Sequence, residues 1–296
     1  MENVWWIAAL ISSLFTAIYI YSSQIFKMPA SLFMTYRGLG AGLVMLPFIP
    51  FFTVIHDPYF YVFVIAQGLW ASYLDNRFFH AVNKYGAEMT SAIQPLSIGV
   101  TFVFWLMIYP YQIILLIHNP WRCLGIIACL VGITITILQL RKSKIGFRAF
   151  IYLLPCLFMT TGSDILNKQA MFFGKENLSS AVFYYILIMS IIMGVANLWA
   201  YLRTYKTSLL WKPQNLKNGV ILVIWALLSL ASKNVAMAKT FNPSYVAAII
   251  YTYPMLIIGW DTYQVCHYKN YLCPHISLKV VGVLFASVIG LILLGK

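Results

Sequence analysis

Apolar runs of about 20 residues recur along the whole chain with only short polar breaks between them, and this leaves very few folds open to it. An unpaired backbone N–H or C=O in hydrocarbon costs several kcal/mol, so only helices and closed barrels cross a bilayer. Barrel strands alternate polar and apolar residues over segments of about 10 residues; here the runs are continuous and have the length a helix needs. The expected class is therefore an all-α integral membrane protein. Composition agrees: 61% of residues are hydrophobic and 9% charged, with a mean hydropathy of +0.82, where soluble domains carry roughly 25% charge.

Apolar periodicity with Pro, Gly and charge punctuation places ten helices at about 4–26, 31–55, 59–82, 84–108, 120–139, 147–172, 179–202, 219–240, 244–267 and 277–294. The tightest connections carry stop signals: Lys27-Met28-Pro29, His56-Asp57-Pro58 and Phe241-Asn242-Pro243-Ser244. The first run lacks a basic leader and a small-residue cleavage site, so it is expected to be a retained span. No connection is long enough to hold a separate core.

A net charge of +13 would point to nucleic acid in a soluble chain. Here the Lys and Arg sit in short connections, the pattern of membrane orientation signals, and nucleic acid is excluded as a partner. Thirteen fall in the odd-numbered connections, against Arg122, Lys175, Lys239 and Lys296 on the other face. The count puts the first face in the cytoplasm and both termini outside.

The chain also reads as two halves, 1–140 and 141–296, joined at the basic stretch Arg141-Lys142-Ser143-Lys144. Ala87 to Pro95 lies against Val246 to Pro254, with a Pro inside the fourth helix of each half. Each fifth helix carries spaced glycines, Gly125 and Gly132 in one and Gly282 and Gly290 in the other. Five helices per half inverts the second half, and inverted repeats can exchange roles so that a central site opens to alternate sides.

In this order, several short motifs resemble the drug/metabolite transporters of the EamA type. They are Phe33-Met34-Thr35-Tyr36-Arg37 near the start of helix 2, Phe78-Phe79-His80-Ala81 leading to Gly86-Ala87 and Pro95, and Gly162-Ser163-Asp164 in helix 6. Asp164 stands where that family has Asn, helix 1 lacks the corresponding Gly, and Tyr184-Tyr185 stands where an Arg is expected. The resemblance implies a secondary carrier of small molecules in a plasma membrane, the bacterial inner membrane, with cytoplasmic termini. That last point conflicts with the charge count and leaves orientation open. Asp164-Ile165-Leu166-Asn167-Lys168 further resembles a stretch of S-adenosylmethionine uptake carriers.

Ionisable residues within spans are costly and mark functional candidates. Asp164 and Lys168 lie four residues apart on one face of helix 6. Two readings are open: mutual neutralisation, or a proton or substrate-cation site tuned by the lysine. Asp75, and Lys233 with Asn234, fall at nearly equivalent places in the two halves. They are expected to pair across a cavity, to meet opposite ends of a zwitterion, to form a gate that breaks and reforms, or to form a permanent bridge. Arg37 suits a carboxylate, with snorkelling as the alternative. Thr16 and Tyr19, with Ser12 and Ser23, make a polar stripe on helix 1, and Tyr251 beside Pro254 suits a cavity wall. Glu88 with Lys84, and Asp261, read as interfacial.

Cys266-His267 and Cys273-Pro274-His275 match no metal-ligand spacing, and no nucleotide-binding or nucleophile motif is present. No cofactor, metal or enzymatic activity is expected. The expected partners are membrane lipids and a small polar or zwitterionic substrate such as an amino acid or an S-adenosylmethionine-like compound. The expected driving force is a proton gradient or exchange for a counter-substrate. Export of amphipathic drugs or amines, and a membrane scaffold or lipid-handling enzyme, are the alternatives.

Overall fold

The computed structural model describes residues 4–91, 93–140, 147–205, 207, 210–268 and 278–295. The basic stretch Arg141-Lys142-Ser143-Lys144, Cys273-Pro274-His275, and Lys206, Lys269 and Lys296 lie outside these, as do the side chains of Arg148, Asp261, Cys266 and His267. Among the described residues there are helices and no strand. In chain order they are α1 (Trp5–Phe26), α2 (Ala30–Met45), α3 (Pro58–Tyr85), α4 (Ala87–Ser91), α5 (Leu96–Ile108), α6 (Tyr111–Ile117), α7 (Pro120–Leu140), α8 (Phe147–Phe173), α9 (Leu178–Thr204), α10 (Pro213–Lys239), α11 (Pro243–Ile250), α12 (Tyr253–Tyr268) and α13 (Leu278–Leu294).

Among the described residues, eight stretches are long and apolar enough to cross a membrane. The outer surface fits a hydrocarbon solvent: large apolar side chains such as Leu43 (67% exposed), Met107 (68%) and Ile117 (68%) face outward, where a water-soluble protein would hide them. The protein is an all-α, multi-pass membrane protein.

Local chemistry sets the helix ends. Lys27 takes a left-handed conformation (φ 48°) after α1, and Pro29 precedes α2. The Asp57 carboxylate accepts from the Tyr59 N–H at 2.9 Å, with Pro58 at the first helical position of α3. Gly86 closes α3 at φ 89°, a region that strains any residue with a Cβ. Asn177 and Asn242 cap α9 and α11 in the same manner as Asp57.

Two crossings expected to be continuous, at about 84–108 and 244–267, are broken: α4 gives way to α5 across Gln94-Pro95, and α11 to α12 across Tyr251-Thr252, beside Pro254. Proline lacks an N–H and its ring clashes with the carbonyl four residues back, so it cannot sit mid-helix without local rearrangement. The backbone bonds shorten in span rather than disappear. Gln94, Leu96, Ser97 and Ile98 donate to Ser91, Ile93, Gln94 and Pro95, and Thr252 donates to Ile249. Pro47 and Pro50 likewise turn the end of the second run into a 3-10 helix at Leu46–Phe51.

Packing is pairwise. α1 lies on α10, α3 on α8 and α9, and α2 on α9 and α10, while α7 and α13 form their own pair against α5, α11 and α12. The crossing of α2 over α9 is backbone to backbone: a Cβ on Gly38 would fall 2.5 Å from Gly194 Cα, and one on Gly42 would fall 2.8 Å from Ile191 Cγ1. Glycines four apart let membrane helices approach this closely.

Candidate functional site

At the centre of the bundle a cavity of about 130 Å³ is enclosed by α1, α2, α3, α8 and α10 and by the two breaks. Sites for drug-sized ligands run to roughly 300–1,000 Å³, so in this conformation the space suits a small ligand. α1 supplies Thr16 and Tyr19, α2 supplies Arg37, and α3 supplies Asp75, Phe78 and Phe79. α10 supplies Ser229 and Lys233 one turn apart, and the breaks supply Gln94, Tyr251 and Tyr253.

Two ion pairs border this cavity. Arg37 Nη1 donates to Asp75 Oδ2 at 2.5 Å, and Lys233 Nζ donates to Asp164 Oδ1 at 2.8 Å. Asp164 is fully buried behind the wall, and its other oxygen accepts from the Tyr251 hydroxyl at 2.8 Å. Arg37 lies over the Tyr19 ring, 5.1 Å from its centroid, and the Tyr19 hydroxyl points to Met34 Sδ at 3.6 Å. Thr16 and Ser229 share a hydrogen bond of 2.8 Å between α1 and α10.

The pairs are exposed in opposite senses. In the first the carboxylate is the more open partner, Asp75 at 22% of its side chain against 10% for Arg37; in the second it is the ammonium, Lys233 at 19% against 0% for Asp164. Asp75 and Lys233 are the more exposed members of their pairs, and the two pairs together, with Asp164 behind the wall, carry no net charge. Arg37 Nε and the Tyr253 hydroxyl, both buried in side chains that line the cavity, have no hydrogen-bond partner among the described residues. Buried polar groups are rarely left so.

Six of the residues singled out from the sequence line this one space: Thr16, Tyr19, Arg37, Asp75, Lys233 and Tyr251. Their partnerships differ from the expected ones. Asp164 and Lys168 do not neutralise each other along α8; Asp164 takes Lys233, and Lys168 Nζ donates to the Met237 and Thr240 carbonyls at 2.8 and 2.5 Å. These carbonyls end α10, where a cation satisfies acceptors the helix leaves unpaired. Lys168 is thus a cap on α10 and no part of the cavity wall. Asp75 does not pair with Lys233 either, because Arg37 reaches it first. Arg37 does not snorkel; it is 8% exposed and points inward. Asn234 sits behind the wall, fully buried, accepting from Asn167 Nδ2 at 2.8 Å.

Tyr253, beside Tyr251 in the proline-kinked segment expected to form a wall, lines the cavity as well; Gln94, Ser163 and Ser229 also line it and are not marked by the sequence reading. Ser229 was accessible to helical spacing, four residues before Lys233 on the same face. Gln94 carried a weaker signal, as a polar residue beside the proline of an apolar run. Ser163 accepts from Gln67 Nε2 at 2.6 Å, a contact between α8 and α3 that no linear pattern announces. No protein-family model and no curated protein sequence matches the chain. What fold and site together define is a class: a multi-pass helical membrane protein with a charge-balanced central cavity.

Proposed function

We propose that this protein is a secondary carrier of a small zwitterionic or polar metabolite, a drug/metabolite transporter of the EamA type in a bacterial inner membrane. The observation that carries the reading is the crossed exposure of the two ion pairs. A zwitterion's ammonium meets the accessible Asp75 and its carboxylate meets the accessible Lys233. Arg37 and Asp164 stay behind as the buried counter-charges. Both ligand charges then meet counter-charges already in place, so binding needs no new charge in the membrane interior.

Alternating access requires two halves that can exchange roles, and the packing supports two inverted five-helix repeats, residues 1–140 and 141–296. Exchanging α1 with α8, α2 with α9, α3 with α10, α4–α5 with α11–α12, and α7 with α13 turns α1 against α10 into α8 against α3. It turns α3 against α9 into α10 against α2, and α5 against α8 into α12 against α1. The pairings α2 with α9 and α7 with α13 map onto themselves, α5 with α11 becomes α12 with α4, and all of these packings occur. In this reading ten crossings, two of them broken, surround the site, and rocking of the halves opens it to either side. A proton gradient or exchange with a counter-substrate drives the cycle.

The test is uptake and counterflow of labelled amino acids, S-adenosylmethionine-like sulfonium compounds and amines by the purified protein in liposomes, with Asp164→Asn and Lys233→Ala beside the parent. Saturable counterflow of a zwitterionic compound, lost in both variants, is the expected result. No saturable flux of any compound by a folded, reconstituted parent would remove the carrier reading and favour a membrane scaffold or lipid-handling enzyme.

A further inference from the structure

A second hollow, of about 500 Å³, lies on the side of the bundle between α3, α8 and α9, away from the central cavity. Its wall carries Arg77, His80 and Tyr152 over a floor in which Asn76 Nδ2 donates to Asn197 Oδ1 at 2.7 Å. Arg77 is the centre of it. Its Nε donates to the Tyr152 carbonyl at 3.1 Å and its Nη1 to the Tyr73 hydroxyl at 3.2 Å, with the guanidinium carbon 4.6 Å above the Tyr152 ring. These partners are neutral, and among the described residues no carboxylate pairs with Arg77. A guanidinium carries five N–H donors, so most remain for another ligand.

The position says which ligand. Arg77 precedes the end of α3 by eight residues, about 12 Å along a helix axis. α3 changes character along its length: residues 58–74 carry no charge, and Asp75, Asn76, Arg77, His80, Asn83 and Lys84 follow. Arg77 thus lies where the helix passes from apolar to polar, the level at which basic side chains meet headgroups. The rim of the hollow faces the bilayer: Leu69 is 60% exposed, Tyr73 57% and Trp199 59%. Arg203, in the last turn of α9, lies 3.5 Å over the Trp199 ring and adds a second positive charge at the same end of the bundle. Anion chemistry at the wall and hydrocarbon at the rim belong together in one kind of molecule.

We propose that this hollow is a binding site for an anionic phospholipid, whose phosphate is drawn down onto Arg77 while its acyl chains lie along Leu69 and the exposed face of α9. Basic pockets between membrane helices hold acidic lipid headgroups by charge, and the aromatic rim suits the interface. This site depends only on the protein's being embedded in a bilayer, and not on what the central cavity carries.

The experiment is lipid selectivity by spin-label spectroscopy: the full chain is reconstituted in phosphatidylcholine, and the immobilised fraction of spin-labelled phosphatidylglycerol is compared with that of spin-labelled phosphatidylcholine. The parent should favour phosphatidylglycerol by about fivefold, the effect of one basic side chain near an anionic headgroup. Arg77→Gln should bring the preference close to unity. Arg203→Gln, at an exposed position, should lower it in part, which keeps the test decisive where Arg77→Gln does not fold. Inorganic phosphate should leave the preference as chloride does at the same ionic strength. Equal immobilisation of the two lipids by the parent would overturn the proposal. So would a preference untouched by Arg77→Gln and Arg203→Gln, or one abolished by phosphate alone, which would make the hollow a soluble-anion site.

Discussion

Removing the Lys233 ammonium should cost more than removing the Asp164 charge it neutralises, although the two form one pair. Asp164 is fully buried and receives two hydrogen bonds, from Lys233 Nζ and from the Tyr251 hydroxyl, each of 2.8 Å. In Lys233→Met the carboxylate keeps only Tyr251 in a water-poor wall, and breaking a buried pair from one side costs about 3–5 kcal/mol. In Asp164→Asn the amide oxygen still accepts from Tyr251, and Lys233, with 19% of its side chain open to the cavity, turns to water. That loss should be about 1–2 kcal/mol. The double variant, with neither charge, should lie within about 1 kcal/mol of Asp164→Asn alone, so the cycle gives a coupling of roughly 3 kcal/mol. Reversible unfolding in mixed detergent micelles measures all four corners. If Lys233→Met costs no more than Asp164→Asn, and the double variant equals their sum, the two side chains are not coupled and the described pair does not hold the wall together.

Three further substitutions have outcomes set by their surroundings. Gly38→Ala should destabilise by about 1–3 kcal/mol through overpacking where its Cβ meets Gly194 at 2.5 Å. Gly99→Ala in α5, which meets nothing within 4 Å, should be neutral or slightly stabilising in the same unfolding assay. Lys168→Met removes both carbonyl bonds at the end of α10 and should cost about 2–3 kcal/mol. Once a counterflow substrate is found, this variant should leave its half-saturation concentration unchanged, as expected of a group outside the cavity; a large change there would return Lys168 to the site.

Hydropathy made the spans legible because a bilayer imposes length and apolarity on every crossing, whatever its neighbours. The ends expected for α1, α8 and α9 agree with the structure to within two residues. The costly charges were legible for the same reason, and most of those chosen surround one cavity. Their partners were not legible. Whether Asp164 meets Lys168 or Lys233 depends on where α10 crosses α8, and an i, i+4 spacing only states that the local pairing is within reach. The two breaks were half-legible. Proline marked them, but how far each crossing would come apart depended on which carbonyls the freed N–H groups could find. The Gly38–Gly42 spacing was present in the sequence and names α2 as a close-packing face, but its partner Gly194 lies on α9, far along the chain.

The breaks also bear on how the protein can bend. In an intact membrane helix, bending opens a carbonyl–amide bond toward hydrocarbon, and that bond must be lost before the angle changes. At Gln94-Pro95 and at Thr252 donors already reach carbonyls only three residues back, while Tyr251 still donates to Ala247 four residues back. Such a joint can flex by trading a short-span bond for the next one along, so its stiffness is set by the side chains packed around it and not by the backbone. Compliance of this kind is inherited from proline's missing N–H, and substitutions of the charged residues in the cavity would leave it intact.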